Sequence, residues 1–249
     1  MNIISIIPAR LNSSRFPNKP LAKIQNKPMI KMVYNNVKGC KIVNDCIVAT
    51  CDSEIKEIIE TDGGKCIMTS SSHERASDRC AEALEIYEKK VGYKFDIVLM
   101  VQGDEPLISH KMIEQSVKPI INDSNIEIVN LMSKIKSEEE FNDPNCVKVV
   151  IDKNGFALFF SREPIPTLKR DKHEYFYKQV CVIPFRRDFL LEYNSMKPTS
   201  LEEIESIDML RILENGKKVK MIETKEISQC VDTEEDLLKV EKILARMND

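Results

Sequence analysis

The chain has 249 residues, with 37 Lys+Arg against 40 Asp+Glu, eight cysteines, seven glycines and no tryptophan. A hydrophobic fraction of 42% beside 31% charge excludes global disorder and fibrous folds, and the length suits one large or two small domains. A net charge of −3 argues against bulk nucleic-acid binding, but leaves room for a local basic cluster around a small anion. No apolar run approaches the roughly 20 residues of a membrane helix. The opening MNIISIIPAR lacks the basic stretch of a signal peptide, so a cytoplasmic protein is expected.

Apolar runs alternate with amphipathic stretches, the pattern of an α/β domain. In chain order, residues 2–7 read as a buried strand and 28–37 as a helix opened by Pro28. Residues 46–50 form a second strand. Asp52 is expected to cap a helix through Ile59, with Gly63-Gly64 ending that segment. A third strand covers 65–68, and Ser77 precedes a helix to about Val91. Residues 95–101 are the strongest strand, followed by the loop Gln102-Gly103-Asp104-Glu105-Pro106 and a helix over about 109–121. Strands near 127–132, 147–151, 156–160 and 179–185 come next. A helix near 201–214, a strand near 218–222 and a last helix from about Thr233 complete the chain. No linker-like tract divides it, so one domain over 1–249 is expected, with residues 162–178 as an inserted excursion.

The cysteines, at 40, 46, 51, 66, 80, 146, 181 and 230, include no CxxC pair. Close pairs mark zinc sites, and disulfide frameworks belong to short secreted chains. Several sit in apolar runs, Cys66, Cys146 and Cys181 among them, so reduced buried thiols of a cytosolic protein are expected.

Open parallel sheets bind ligands beyond the carboxyl ends of their strands. The loop after the first strand carries Arg10, Arg15 and Lys19, with Ser13 and Ser14, on a backbone stiffened by Pro8, Pro17 and Pro20. Three cations on a constrained loop at that edge suit a polyphosphate, because arginine donates from two points and lysine is a compact charge. Neither GxGxxG nor GxxxxGK[ST] is present, which disfavours a Rossmann dehydrogenase or a P-loop ATPase. The Asp104-Glu105 loop after the strongest strand can place a carboxylate on Mg²⁺, which takes hard oxygen ligands. Asp232 follows an apolar pair and opens the last helix; its position fits either a cap or a second metal ligand.

These segments, together with TSSSHERASDR, VQGDEPLI, NCVKVV, FALFFSREPIP, ENGKKVKM and VDTEEDL, resemble the 3-deoxy-manno-octulosonate (Kdo) cytidylyltransferases, in the family's order and over nearly the whole chain. The resemblance implies a doubly wound, mostly parallel nucleotide-binding sheet of the nucleotide-diphospho-sugar transferase type. A small inserted β-rich subdomain for dimerisation and substrate binding is expected beside it. It implies transfer of CMP from CTP to an acidic 2-keto-3-deoxy sugar with release of pyrophosphate, in lipopolysaccharide or capsule biosynthesis. By motif match Arg10, Ser13, Arg15 and Lys19 hold the triphosphate, while Arg79 and Gln102 lie near the nucleotide. Asp104 and Asp232 ligate Mg²⁺, and Lys19, Arg15 and Asp104 carry the catalysis. A homodimer is expected, with neither nucleic acid nor membrane as partner.

Three stretches depart from the family. Arg75-Ala76-Ser77 stands where Ser-Gly-Thr is usual, so different contacts to the cytidine are expected. In the acceptor pocket Gln179-Val180-Cys181-Val182-Ile183 stands where a His-Leu-Gly-Ile-Tyr-like strand is usual, and Asp208-Met209 where Glu-Gln precedes Leu-Arg. Gln102, Arg162, Gln179, Ile183 and Asp208 are therefore the expected acceptor contacts. The lost hydrogen-bonding groups leave open a different acidic acceptor. A metal-dependent glycosyltransferase and an inactive nucleotide-binding protein are the remaining alternatives. No side chain is assigned as general base; His73 is the nearest candidate.

Overall fold

The run Ile3–Pro8 (β1) is buried at every position, as a strand covered on both faces must be. Its alternating residues serve two layers. Ile4 and Ile6 pack with Cys80, Leu84 and Tyr87 of one cluster, while Ile3 and Ile7 pack with Val33, Val37, Met112 and Val117 of the other. The computed structural model describes residues 1–12, 15–167 and 176–248.

After β1 come a small hairpin of β2 (Lys23–Ile24) and β3 (Lys27–Pro28), then α1 (Met29–Lys38), β4 (Asp45–Thr50), α2 (Ser53–Glu60) and β5 (Cys66–Met68). The first half ends with α3 (Ala76–Val91), β6 (Ile97–Val101) and α4 (His110–Asn122). The second half runs β7 (Val129–Lys134), α5 (Glu138–Asn142), β8 (Lys148–Ile151), β9 (Ala157–Ser161), β10 (Tyr177–Val180) and β11 (Val182–Arg186). It closes with α6 (Arg187–Ser195), α7 (Ser200–Glu205), α8 (Asp208–Glu214), β12 (Lys220–Glu223) and α9 (Glu234–Asn248).

The first sheet has the order β11-β6-β1-β4-β5, with β1, β4, β5 and β6 parallel and β11 antiparallel at the edge. The chain winds outward from β1 to β5 and then returns to β6 on the other side of β1. That reversal opens a crevice beyond the ends of β1 and β6, where ligands bind in such sheets. The second sheet, β12-β7-β10-β8-β9, is largely antiparallel and draws on residues 129–223. The β-rich part is thus much wider than the expected excursion, whose residues 168–175 lie outside the described ones.

Two expected elements are each two. Residues 179–185 do not form one strand: β10 belongs to the second sheet and β11 to the first, and the chain passes between them at Cys181. The helix near 201–214 is divided into α7 and α8 by Ser206, whose φ of 53° ends the first. Helices α5 and α6 were not expected; α6 follows β11 directly, with no glycine or proline between them to mark the change.

The α7–α8 corner is fixed by a buried ion pair. Glu202 is fully buried, and its two oxygens accept at 2.6 Å each from Nη2 and Nε of Arg211, whose guanidinium lies over the Tyr193 ring. Removing one partner strands the other charge, so Glu202→Ala is expected to lower unfolding free energy by about 3–5 kcal/mol. Urea denaturation measures this, and a loss under about 1 kcal/mol contradicts it.

Candidate active site

The basic loop is held by its backbone. Ala9 N–H donates to Ala49 O, Leu11 N–H to the Asp52 carboxylate at 2.8 Å, and Asn18 N–H to Leu11 O at 3.2 Å. Contrary to expectation, the Asp52 carboxylate does not cap α2; it anchors the loop instead. The loop ends in a tight 3-10 turn, Lys19–Leu21, with buried Pro20 fixing the backbone. Ser13 lies outside the described residues.

The acidic loops meet this one from the other side. A Cβ at Gly103 would stand 3.1 Å from both Pro8 O and Ile30 Cδ1, so glycine lets the loop after β6 press against the end of β1. Val231 N–H donates to Asp104 O at 3.0 Å, joining the loop after β6 to the segment before α9. Asp232 is not the cap of that helix. Thr233 Oγ1 accepts from Asp236 N–H, while the Asp236 carboxylate accepts from the N–H groups of Asp232 and Thr233. The Asp232 carboxylate is left to face the basic loop.

There the charges converge. Lys19 Nζ donates to Asp104 at 2.6 Å and to Asp232 at 3.2 Å, and Arg15 Nη2 donates to Asp232 at 2.9 Å. Arg15 also donates to Asn145, which the sequence did not single out. Burial by itself lowers the Lys19 pKa, but the Asp104 and Asp232 carboxylates outweigh it and hold the ammonium above its usual value. One oxygen from each aspartate and Cys230 Sγ all lie within 4.8 Å of one another, a spacing that fits a single cation. Two hard oxygens suit Mg²⁺.

Two adjoining cavities, of about 320 Å³ and 620 Å³, share Arg10, Arg15, Arg75, Gln102, Asp104 and Asp232 in their walls. The smaller one also takes in Lys19 and Arg79. Arg79 is buried, donates from Nη1 to Thr69 Oγ1 at 2.5 Å, and leaves Nη2 without a partner among the described residues. Such a donor is costly unless a ligand meets it. His73, in the same cavity, is within hydrogen-bond distance of Glu82 at 2.6 Å.

The larger cavity gathers Arg162, Gln179, Ile183 and Asp208, so every acceptor contact expected from sequence reaches one space. Gln179 and Ile183 do so from different sheets, on either side of the Cys181 crossing. Gln179 donates through Nε2 to Asn130 at 2.6 Å. Asp208 accepts from Ser77 Oγ at 3.0 Å, and burial raises its pKa. Ser77 thus sits inside α3 rather than before it.

Cys146, Cys181 and Cys230 also line this cavity, so they are not simply core thiols. Burial raises all three thiol pKa values, Cys146 to about 11, and keeps the thiols protonated. Sequence reasoning also missed Lys148. This fully buried lysine donates to the carbonyls of Asp143, Cys146 and Arg162, fixing the wall that carries Asn145 and Arg162. Its signal was a lone charge inside the apolar run NCVKVV.

Glu105 gives a pH signature. It is buried, accepts from Cys181 N–H and Ser228 Oγ, and burial with the neighbouring Asp104 charge pushes its pKa up to about 7. The raised acid binds its proton more tightly in the fold than in the open chain. Its stabilising contribution is therefore full below the ordinary glutamate value and lost as pH rises through about 7. Thermal melts in EDTA from pH 5 to 8 should show that decline in the wild type and a flatter curve in Glu105→Gln; parallel curves contradict it.

The cytidylyltransferase family matches residues 4–219. The chain is 42% identical over 250 residues to a 3-deoxy-manno-octulosonate cytidylyltransferase from Pelobacter propionicus, covering 96% of each chain. It is 43% identical over 257 residues to the one from Geobacter metallireducens, covering 99% of each. A solved CMP:2-keto-3-deoxy-manno-octonic acid synthetase complexed with CTP superposes with a TM-score of 0.88 at 33% identity, over 99% of this chain and all of that one. A 4-diphosphocytidyl-2C-methyl-D-erythritol synthase from Anaerococcus prevotii shares the fold, with a TM-score of 0.64 at 16% identity over 98% of each chain. The α/β sheet with its crevice beyond β1 and β6 is accordingly of the nucleotide-diphospho-sugar transferase type, and the chain belongs to the 3-deoxy-manno-octulosonate cytidylyltransferase family of cytidylyltransferases.

Proposed function

We propose that the protein transfers CMP from CTP to Kdo, or to a closely similar 2-keto-3-deoxy sugar acid, and releases pyrophosphate. The observation that carries this is the meeting of Lys19 and Arg15 with Asp104 and Asp232 where the two cavities join. The smaller cavity takes the nucleotide and the larger one the acceptor. The unpartnered Nη2 of Arg79 supports a nucleotide acceptor atom in the former.

An anomeric hydroxyl of the acceptor attacks the α-phosphorus and gives up its proton to solvent; one P–O bond forms as the α–β bridge breaks in line, and the β- and γ-phosphates leave as pyrophosphate. Lys19 and Arg15 offset the charge that develops on the departing pyrophosphate, and Arg10 adds to the positive rim. Gln102, in both cavity walls, orients nucleotide against acceptor. Mg²⁺ held by Asp104 and Asp232 would neutralise phosphate charge and polarise the reacting oxygens.

Ile183, Met209 and Cys181 in the acceptor wall favour, as second reading, the same transfer to a different acidic acceptor. The basic loop, suited to a free triphosphate, and the family membership weigh against a glycosyltransferase or an inactive protein. Family membership extends the proposal to lipopolysaccharide or capsule assembly in the cytoplasm, by a homodimer. The test is pyrophosphate release with each of CTP, ATP, GTP and UTP, with Kdo and a panel of acidic sugars, with and without Mg²⁺. CTP-specific, Kdo- and Mg²⁺-dependent release is expected; no release in any combination overturns the proposal.

A further inference from the structure

We infer that Arg75, rather than Arg162, is the specificity-determining guanidinium that reads the acceptor's carboxylate. This rests on the acceptor assignment of the larger cavity. An arginine has five N–H donors in a planar fork suited to a carboxylate. The two arginines approach the same corner, the Glu205–Ser206 turn between α7 and α8, from opposite elements. Arg162 commits three donors to backbone: Nε to Glu205 O at 2.6 Å, Nη1 to Pro144 O at 2.9 Å and Nη2 to Ser206 O at 3.2 Å. Its guanidinium builds the wall. Arg75, at the entrance to α3, makes one hydrogen bond among the described residues, from Nη1 to Ser206 Oγ at 3.0 Å.

The acidic neighbours of Arg75 stand farther off than a hydrogen bond, Glu202 at 3.6 Å and Asp208 at 3.7 Å. Both have nearer partners, Arg211 for Glu202 and Ser77 for Asp208. They hold the Arg75 charge in place without using up its donors. Arg75 is also the one of the two that lines both cavities, whereas Arg162 lines only the larger. A carboxylate bound to Arg75 therefore lies beside the nucleotide space, where an acceptor's reacting end must be. Arg75 stands in the stretch where this sequence departs from Ser-Gly-Thr, so the departure brings a guanidinium to the acceptor cavity.

The test compares wild type, Arg75→Ala, Arg75→Lys and Arg162→Ala in two readouts. One is initial rates with CTP and Kdo; the other is calorimetric binding of Kdo, and of its C1 carboxamide, in the presence of CMP. Arg75→Ala should raise KM for Kdo at least tenfold with KM for CTP within twofold. It should also abolish the preference for Kdo over its amide. Arg75→Lys should recover part of that preference, because the charge returns without the fork. Arg162→Ala should lower Tm and affect both substrates. Unchanged Kdo binding in Arg75→Ala, or equal losses for CTP and Kdo, overturns the assignment. If wild type binds Kdo and prefers it to the amide but does not turn over CTP, the functional reading falls and the binding comparison still decides Arg75. If wild type binds no Kdo, both fall.

Discussion

Asp104→Ala should reduce Mg²⁺-dependent pyrophosphate release from CTP by about 10³-fold or more, equivalent to roughly 4 kcal/mol of transition-state stabilisation. The side chain is one of two hard anions at the position proposed for the cation, and Asp232 by itself leaves a single carboxylate there. The fold should survive. The Asp104 carbonyl, which accepts from Val231 N–H, is untouched by the substitution, and Lys19 keeps Asp232 as its partner. A melting temperature within a few degrees of wild type together with lost turnover is the expected pair of results. Near-normal turnover in Asp104→Ala sinks the metal assignment.

Lys19→Met should act in two directions at once. Turnover should fall by about 10²–10³-fold, the usual cost of removing one preorganised donor from a developing negative charge. Affinity for Mn²⁺ without nucleotide should rise at least tenfold. The Lys19 ammonium spans both aspartates, at 2.6 and 3.2 Å, and its positive charge competes with a divalent ion for the same two carboxylates. Triphosphate offers that ammonium another partner; methionine removes it outright. Electron paramagnetic resonance of free Mn²⁺, titrated with and without CTP, reads the effect directly. Equal Mn²⁺ affinities in the two proteins would show that Lys19 does not guard the site.

Much of this was legible in the sequence because the informative residues are local. Buried runs such as Ile3–Pro8 and Ile97–Val101 announce central parallel strands, and the loops after them carry Arg10, Arg15, Lys19 and Asp104 in plain order. What was not legible depends on partners distant in the chain. Asp52 has the residue type of a helix cap, but a backbone N–H 41 positions away wins its carboxylate. Asp232 likewise has the type of a cap; Thr233 and Asp236 take over that task two bonds along the helix entrance. The β10–β11 crossing has no glycine or proline to betray it, since an extended backbone continues on both sides of Cys181. Arg75 and Arg162 are indistinguishable as letters; the count of engaged donors and the cavities they line separate them.

The backbone bond from Val231 to Asp104 has a consequence for how the cleft is assembled. Lys19 and Asp232 are 213 positions apart, so the two aspartates meet Lys19 only once the segment that carries Asp232 has docked. Val231 and Val240 must first settle against Ile24 and Met29, which sit just beyond the basic loop. The docking of α9 therefore completes the cleft: its two walls are joined only where Val231 bonds to Asp104 and packs with Val240 on Ile24 and Met29.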